Sequence, residues 1–82
     1  MTFKAHITIM PHDAILDPQG KTVCSSLKDL HFSGVQSVRI GKHMVLEIES
    51  DSKKNAFALA EDACKKLLAN QIMEKYEINI EG

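Results

Sequence analysis

The chain has no tryptophan, one tyrosine and three phenylalanines among its 82 residues. So few rings exclude a surface built to stack nucleic-acid bases. Neither sign of charge dominates: the formal net charge is −1, which offers no general attraction to nucleic acid or to an anionic membrane. No apolar run approaches the roughly 20 residues that a membrane helix needs. After Met1 the sequence alternates, where a secretory signal would place a basic stretch before an apolar one, so the expected location is the cytoplasm. Only two cysteines are present, Cys24 and Cys64, and neither has a second Cys or a His at metal-ligand spacing. They read as two buried thiols in a reducing compartment, with a disulfide between them as the alternative.

What is present is ordinary for a globular protein: 44% hydrophobic and 26% charged residues. One domain covering residues 1–82 is expected. A domain of this size buries only about 60–65% of the surface its unfolded chain exposes. Its own core is therefore thin, and contact with a partner would add to it.

Residues 3–10 alternate, with Phe3, Ala5, Ile7 and Ile9 on one face and Lys4, His6, Thr8 and Met10 on the other. That pattern predicts a half-buried strand ending at Pro11. Asp17-Pro18 reads as a helix start, because Asp accepts from free N–H groups of the first turn and Pro is tolerated at the first helical position. Val23, Leu27 and Leu30 follow at helical spacing beside Cys24, and Gly34 marks the exit. Gly20 weakens the first turn, so something other than propensity must favour it there. Residues 35–40 predict a second strand, Gly41-Lys42-His43 a hairpin loop, and residues 44–49 a third strand with Met44, Leu46 and Ile48 inward. Asp51 or Ser52 caps a second helix whose apolar positions are Phe57, Ala60, Cys64, Leu67 and Leu68, and Asn70 closes it. Residues 75–81 alternate again, with Tyr76, Ile78 and Ile80 inward. The order strand, helix, strand, strand, helix, strand leaves few right-handed arrangements. The commonest is an α+β, ferredoxin-like sandwich with both helices on one face of a four-stranded antiparallel sheet. Its other face is mixed, with Met10 and Val45 among polar residues, and is either solvated or paired with another subunit.

This fold hosts many functions, so the site must decide. A metal-transfer domain needs two Cys on the first loop, and none is there. An RNA-recognition domain needs aromatics where this chain has Lys, Thr, Ser and Arg. Gly41-Lys42 fails as the end of a phosphate loop, since Gln36 stands where that motif has Gly and His43 where it has Ser or Thr. His6, His12, His31 and His43 show no i, i+4 pair and no obvious acidic partner. Ser25 and Ser26 lack a Gly-rich elbow. An acyl-phosphate hydrolase needs an Arg in the loop after the first strand, where residues 12–16 offer none. No catalytic, cofactor or metal residues are assigned.

Three stretches go beyond generic packing: Leu16-Asp17-Pro18-Gln19-Gly20, then Val38-Arg39-Ile40-Gly41-Lys42, then Cys64-Lys65-Lys66-Leu67-Leu68-Ala69-Asn70 followed by Ile72-Met73-Glu74-Lys75-Tyr76. In this order and at these separations they closely resemble the PurS family, the small subunit of bacterial and archaeal phosphoribosylformylglycinamidine synthase, over essentially the whole chain. Departures are Gln71 where the family usually has Pro, Met73 where it has Ile, His31 where Gly commonly precedes the Phe, and Pro11-His12 where members tend to have Lys.

The resemblance implies a non-catalytic assembly subunit in purine biosynthesis. It would bridge a glutaminase subunit and a large synthetase subunit and assist ammonia transfer between them. The complex amidates formylglycinamide ribonucleotide, and ATP, Mg and glutamine are used by the partner subunits, with no cofactor in this chain. Self-association to a dimer or higher is expected, with no nucleic-acid or membrane partner. The residues expected to meet partners are Asp17, Pro18, Gln19, Gly20, Arg39, Gly41 and Lys42. Asp17, Pro18 and Gly41 also have sufficient structural roles as helix start and turn, whereas Arg39 and Lys42 have no obvious local partner. The competing class is an ACT-like regulatory domain that senses a small molecule, against which the absence of Gly between Pro11 and Gly20 counts.

Overall fold

A computed structural model describes residues 1–82. Strand β1 (Thr2–Pro11) is followed by helix α1 (Pro18–Asp29), strand β2 (Lys42–Glu49), helix α2 (Lys53–Ala63) running into a single π turn (Cys64–Leu68), and strand β3 (Glu74–Glu81). The sheet is antiparallel with order β2-β1-β3. Phe3 lies opposite Ile48, Ala5 lies between Leu46 and Ile80, and Ile7 between Met44 and Ile78, so one face of all three strands is apolar. The alternation in β1 translates directly into burial: Phe3, Ala5, Ile7 and Ile9 are all buried while their neighbours are not.

Helix α2 covers that face. Its buried residues are Ala56, Ala60 and Cys64, a stripe of small side chains four apart that lets the helix backbone come close to Ile7 and Ile9. Ser52 caps the helix through the Asn55 N–H, and Asp51 takes the Asn55 side-chain amide instead. Phe57 and Leu67, expected inward, are exposed. The large side chains would hold the helix away from the sheet. The extra residue in the π turn, closed by the Ala69 N–H on the Cys64 carbonyl, rotates Leu67 outward and returns Leu68 and Ala69 to the core. Asn70 acts one turn later than expected, its side chain accepting from the N–H groups of Ile72 and Met73. Both cysteines are free and buried.

The α+β ferredoxin-like class holds, but the sheet has three strands. Residues 35–40 lie outside it, and Gly41-Lys42-His43 is no hairpin: Lys42 and His43 already belong to β2, opposite Ile9 and Thr8. Consequently α1 does not lie beside α2 on the sheet. It projects with residues 35–41 from the end of the sheet where β1 finishes. Val23 on α1 is exposed for that reason, as are Leu30 and Phe32 just beyond it. The molecule is drawn out to 51 × 25 × 14 Å with a radius of gyration of 16.3 Å, against about 12 Å for a compact chain of this length. Two regions result: a body of sheet and α2, and an arm of α1 and residues 35–41.

Candidate partner-binding site at the base of the arm

The seven residues singled out in the sequence fall where arm meets body, and four of them set its geometry. Asp17 is the N-cap of α1, its Oδ1 accepting from the Gly20 N–H at 3.0 Å, while Oδ2 accepts from the Ile40 N–H at 2.8 Å. One carboxylate thus starts the helix and ties it to the strand-like run behind it. Those backbone N–H groups, Gly20 first and then Ile40, hold the Asp17 carboxyl below its ordinary value. Gly20 is buried against that run: a Cβ there would collide with the Val38 carbonyl oxygen and crowd the Asp17 carboxylate. This close approach explains a helix-weakening residue in the first turn. Gly41 is in the same position against β1, where a Cβ would collide with the Ile9 carbonyl oxygen and Met10 sulfur.

Arg39, read as lacking a local partner, has two. Its guanidinium donates to the Ile15 carbonyl at 2.9 Å and to the His12 carbonyl at 2.6 Å, pinning residues 12–15 to the arm. Lys42 also has one: its Nζ lies 3.7 Å from a Glu74 carboxylate oxygen across the sheet end. Sequence reading missed both because the partners are backbone oxygens and a residue more than thirty positions away. Pro18 and Gln19, on the first turn of α1, are exposed.

Two clefts flank this corner. One, of about 640 Å³, lies between α1 and residues 36–39, with Ile15, Leu16, Cys24 and Val38 on its walls and Lys21 and Lys28 at its rim. Neither lysine forms an ion pair within the chain, unlike Lys65 and Lys66, which pair with Glu61 and Asp62 on the body. The second, of about 290 Å³, runs between Leu16, Ile40 and Met73. Leu16 and Met73, which line it, are 63% and 46% exposed, and Ile72 next in sequence to Met73 is 86% exposed. An apolar corner rimmed by polar groups is the usual composition of a protein contact.

A second cluster, not anticipated, sits on the open sheet face. His6 Nε2 lies 3.0 Å from Glu81 Oε1 and His43 Nδ1 lies 3.1 Å from Thr8 Oγ1, with the two rings 5.9 Å apart. The hydrogen bond from His6 is the main cause that holds Glu81 below its ordinary value. His6 and Glu81 are 75 positions apart in sequence, and only the β1–β3 register brings them together. No group of three His, Cys, Asp or Glu side chains converges as metal ligands would.

Fold and site together define a small ferredoxin-like α+β domain whose polar and apolar groups meet at an open corner. Residues 4–82 match the PurS family, described as phosphoribosylformylglycinamidine (FGAM) synthase. The phosphoribosylformylglycinamidine synthase subunit PurS of Bacillus subtilis (strain 168) is 38% identical over 79 residues, covering 96% of this chain and 93% of that one. The subunit of the same description from Thermotoga maritima is 33% identical, with 93% of each chain covered. Among solved structures, B. subtilis PurS superposes with a TM-score of 0.87 at 38% identity over 98% of this chain and 99% of that one. A chain of PurLQS from T. maritima superposes with a TM-score of 0.91 at 31% identity, with 99% of each covered. The chain belongs to the PurS family of phosphoribosylformylglycinamidine synthase subunits. The ACT-like alternative receives no support from these relatives.

Proposed function

We propose that this chain is a non-catalytic assembly subunit that bridges a glutaminase and a synthetase, so that ammonia released by one reaches the other. The observation that carries the reading is the full-length likeness to a chain of PurLQS, joined to an exposed corner with protein-contact chemistry and no assembled nucleophile. Ammonia that escapes to bulk water is diluted and protonated, so holding the two active sites together replaces a diffusive encounter with a local transfer. ATP, Mg and glutamine belong to the partner subunits in this reading, and the working location is the cytoplasm. The chain also self-associates, since a thin body and an uncovered arm both gain from a second copy.

At the corner, Pro18, Gln19 and Lys42 meet a partner together with Leu16 and Met73, while Asp17, Gly20, Arg39 and Gly41 keep that surface in shape. The test is reconstitution with purified glutaminase and synthetase. Glutamine-dependent amidation is expected to need this chain, and ammonia-dependent amidation by the synthetase is expected to proceed without it. Arg39→Ala with Lys42→Ala is expected to lower the first rate and leave the second. A glutamine-dependent rate that is the same with and without the chain overturns the proposal, as does glutamine hydrolysis by the chain alone.

A further inference from the structure

The open sheet face carries a polar group that the bridging of partners does not require. His6 on β1 lies opposite Val45, and Thr8 lies opposite His43 on β2, so the two histidines are diagonal neighbours across antiparallel strands. Residues so placed project from the same face and reach one another. Their ring centroids are 5.9 Å apart and the rings are tilted by 33°. Both line a hollow of about 350 Å³, with Thr8 at its floor and Glu77 and Asn79 on its far side.

Each ring has one nitrogen anchored and one left over. His6 Nε2 sits 3.0 Å from Glu81 Oε1. An ionised carboxylate only accepts, so Nε2 donates and the neutral ring keeps its lone pair on Nδ1. His43 Nδ1 sits 3.1 Å from Thr8 Oγ1. When that nitrogen donates to the hydroxyl, the lone pair of His43 is on Nε2. An imidazole that gives its N–H to a carboxylate is the arrangement that stands behind metal-bound histidines, because it fixes the ring and makes the other nitrogen a better ligand. The spacing suits one ion between the rings. With a metal 2.0–2.1 Å from each nitrogen and roughly 1.1 Å more to each ring centre, two centroids stand roughly 5 Å apart at the tetrahedral angle and roughly 6.4 Å apart when the ligands are opposed. The observed 5.9 Å falls within that span.

We propose that His6 and His43 form a binding site for one divalent transition-metal ion of the imidazole-preferring class, with Cu²⁺ held most tightly. His6 supplies Nδ1, His43 supplies Nε2, and Glu81 and Thr8 orient the two rings. No third His, Cys, Asp or Glu converges with the pair, so water completes the shell, unlike a closed four-ligand structural centre. Imidazole sites rank Cu²⁺ above Ni²⁺ and Zn²⁺, whereas Mg²⁺ and Ca²⁺ prefer oxygen ligands. A bound ion ties β1 to β2 and raises the melting temperature, as any ligand of the folded state does. The site lies on the sheet face, so it stands independently of the bridging role.

The test is titration of the full-length chain with Cu²⁺, followed by calorimetry and by electron paramagnetic resonance. One ion per chain is expected, with spectral coupling to two imidazole nitrogens. His6→Gln and His43→Gln are each expected to lower the affinity at least about tenfold and to leave one coupled nitrogen. Glu81→Gln is expected to lower it by about tenfold, the smaller end of the usual loss for an outer partner. His43 and Glu81 are exposed, so these variants are expected to melt like wild type without metal. A chain with both His12→Gln and His31→Gln is expected to bind as wild type does. Zn²⁺ is expected to compete, and Mg²⁺ at about a hundredfold excess is not. Unchanged affinity in His43→Gln, loss of binding in the His12 and His31 variant, or a wild-type spectrum with a single coupled nitrogen overturns the site.

Discussion

In the body, Ala5, Ile7, Ile9, Ala56, Ala60 and Cys64 are fully buried, whereas in the arm Gly20 and Cys24 are the only buried residues and Leu16, Leu30 and Phe32 are more than half exposed. The body is held by apolar packing across the sheet. The arm is held by directed polar ties, from Asp17 to Gly20 and Ile40 and from Arg39 to Ile15 and His12. Packing hides the side chains that provide it, while Val45, Phe57, Leu59 and Leu67 on the outer surfaces of the body stay exposed. Polar ties to backbone fix the arm's shape while leaving its apolar side chains outside. A subunit that must meet other chains gains from this division, because its recognition surface is in place before the partner arrives.

The sharpest way to break the comparison is to truncate one apolar residue in each region. Ile7→Ala is expected to cost about 2–5 kcal/mol in denaturant unfolding, through lost burial and a cavity. This cost should persist at every protein concentration. Phe32→Ala is expected to change the isolated chain by about 0.5 kcal/mol or less and to act instead on association, seen as a larger loss of melting temperature at high concentration than at low. Equal effects of the two substitutions would mean that the arm is packed like the body.

Gly20→Ala comes next. Helix propensity alone predicts a gain of about 1 kcal/mol. The collision with the Val38 carbonyl predicts a loss of about 1–3 kcal/mol, the usual range for overpacking. The sign of the change in thermal melting decides between them.

His31 ends α1 at a φ of 73°, the chain's one non-glycine residue with positive φ. Its N–H bonds the Lys28 carbonyl and the Phe32 N–H bonds the Leu27 carbonyl, the paired closure in which glycine is favoured. His31→Gly is expected to stabilise by about 1 kcal/mol through relief of the left-handed backbone. No change would show that the His side chain offsets the strain.

The smallest effect is confined to acid. The Gly20 and Ile40 N–H groups hold the Asp17 carboxyl below its ordinary value, so the stability they supply is complete above that ordinary value and is lost as pH falls through the lowered one. Asp13, Glu49, Asp51 and Glu81 are held low as well, so Asp17→Asn is expected to remove only a share of the acid limb. A melting-temperature profile from about pH 2 to 6 checks this. An unchanged limb in the variant would remove Asp17 from the arm's fastening.

The alternation in β1 and β3 was legible because a strand with one wet face writes a period of two into its residues. The start of α1 at Asp17-Pro18 and of α2 at Ser52 was legible because capping chemistry is local. The family was legible from three motifs, of which Leu16–Gly20 and Val38–Lys42 lie at the corner and the third closes α2 and leads into β3. The inward set of α2 was misread at Phe57 and Leu67, since helical spacing gives a face but not the distance at which that face must pack.

What the sequence by itself determined is which segments want to be helix or strand, where they begin, and the family they belong to, all consequences of short-range periodicity and local backbone chemistry. Only the tertiary structure decided that residues 35–40 stay out of the sheet, that Arg39 clasps the His12 and Ile15 carbonyls, and that His6 meets Glu81. Each depends on groups far apart in the chain or on backbone oxygens that every residue carries. Nothing in the spacing of side chains distinguishes a strand that folds back on its neighbour from one that runs on past the end of the sheet. The crowding of Gly20 and Gly41 against backbone does, and it exists only once the arm is in place.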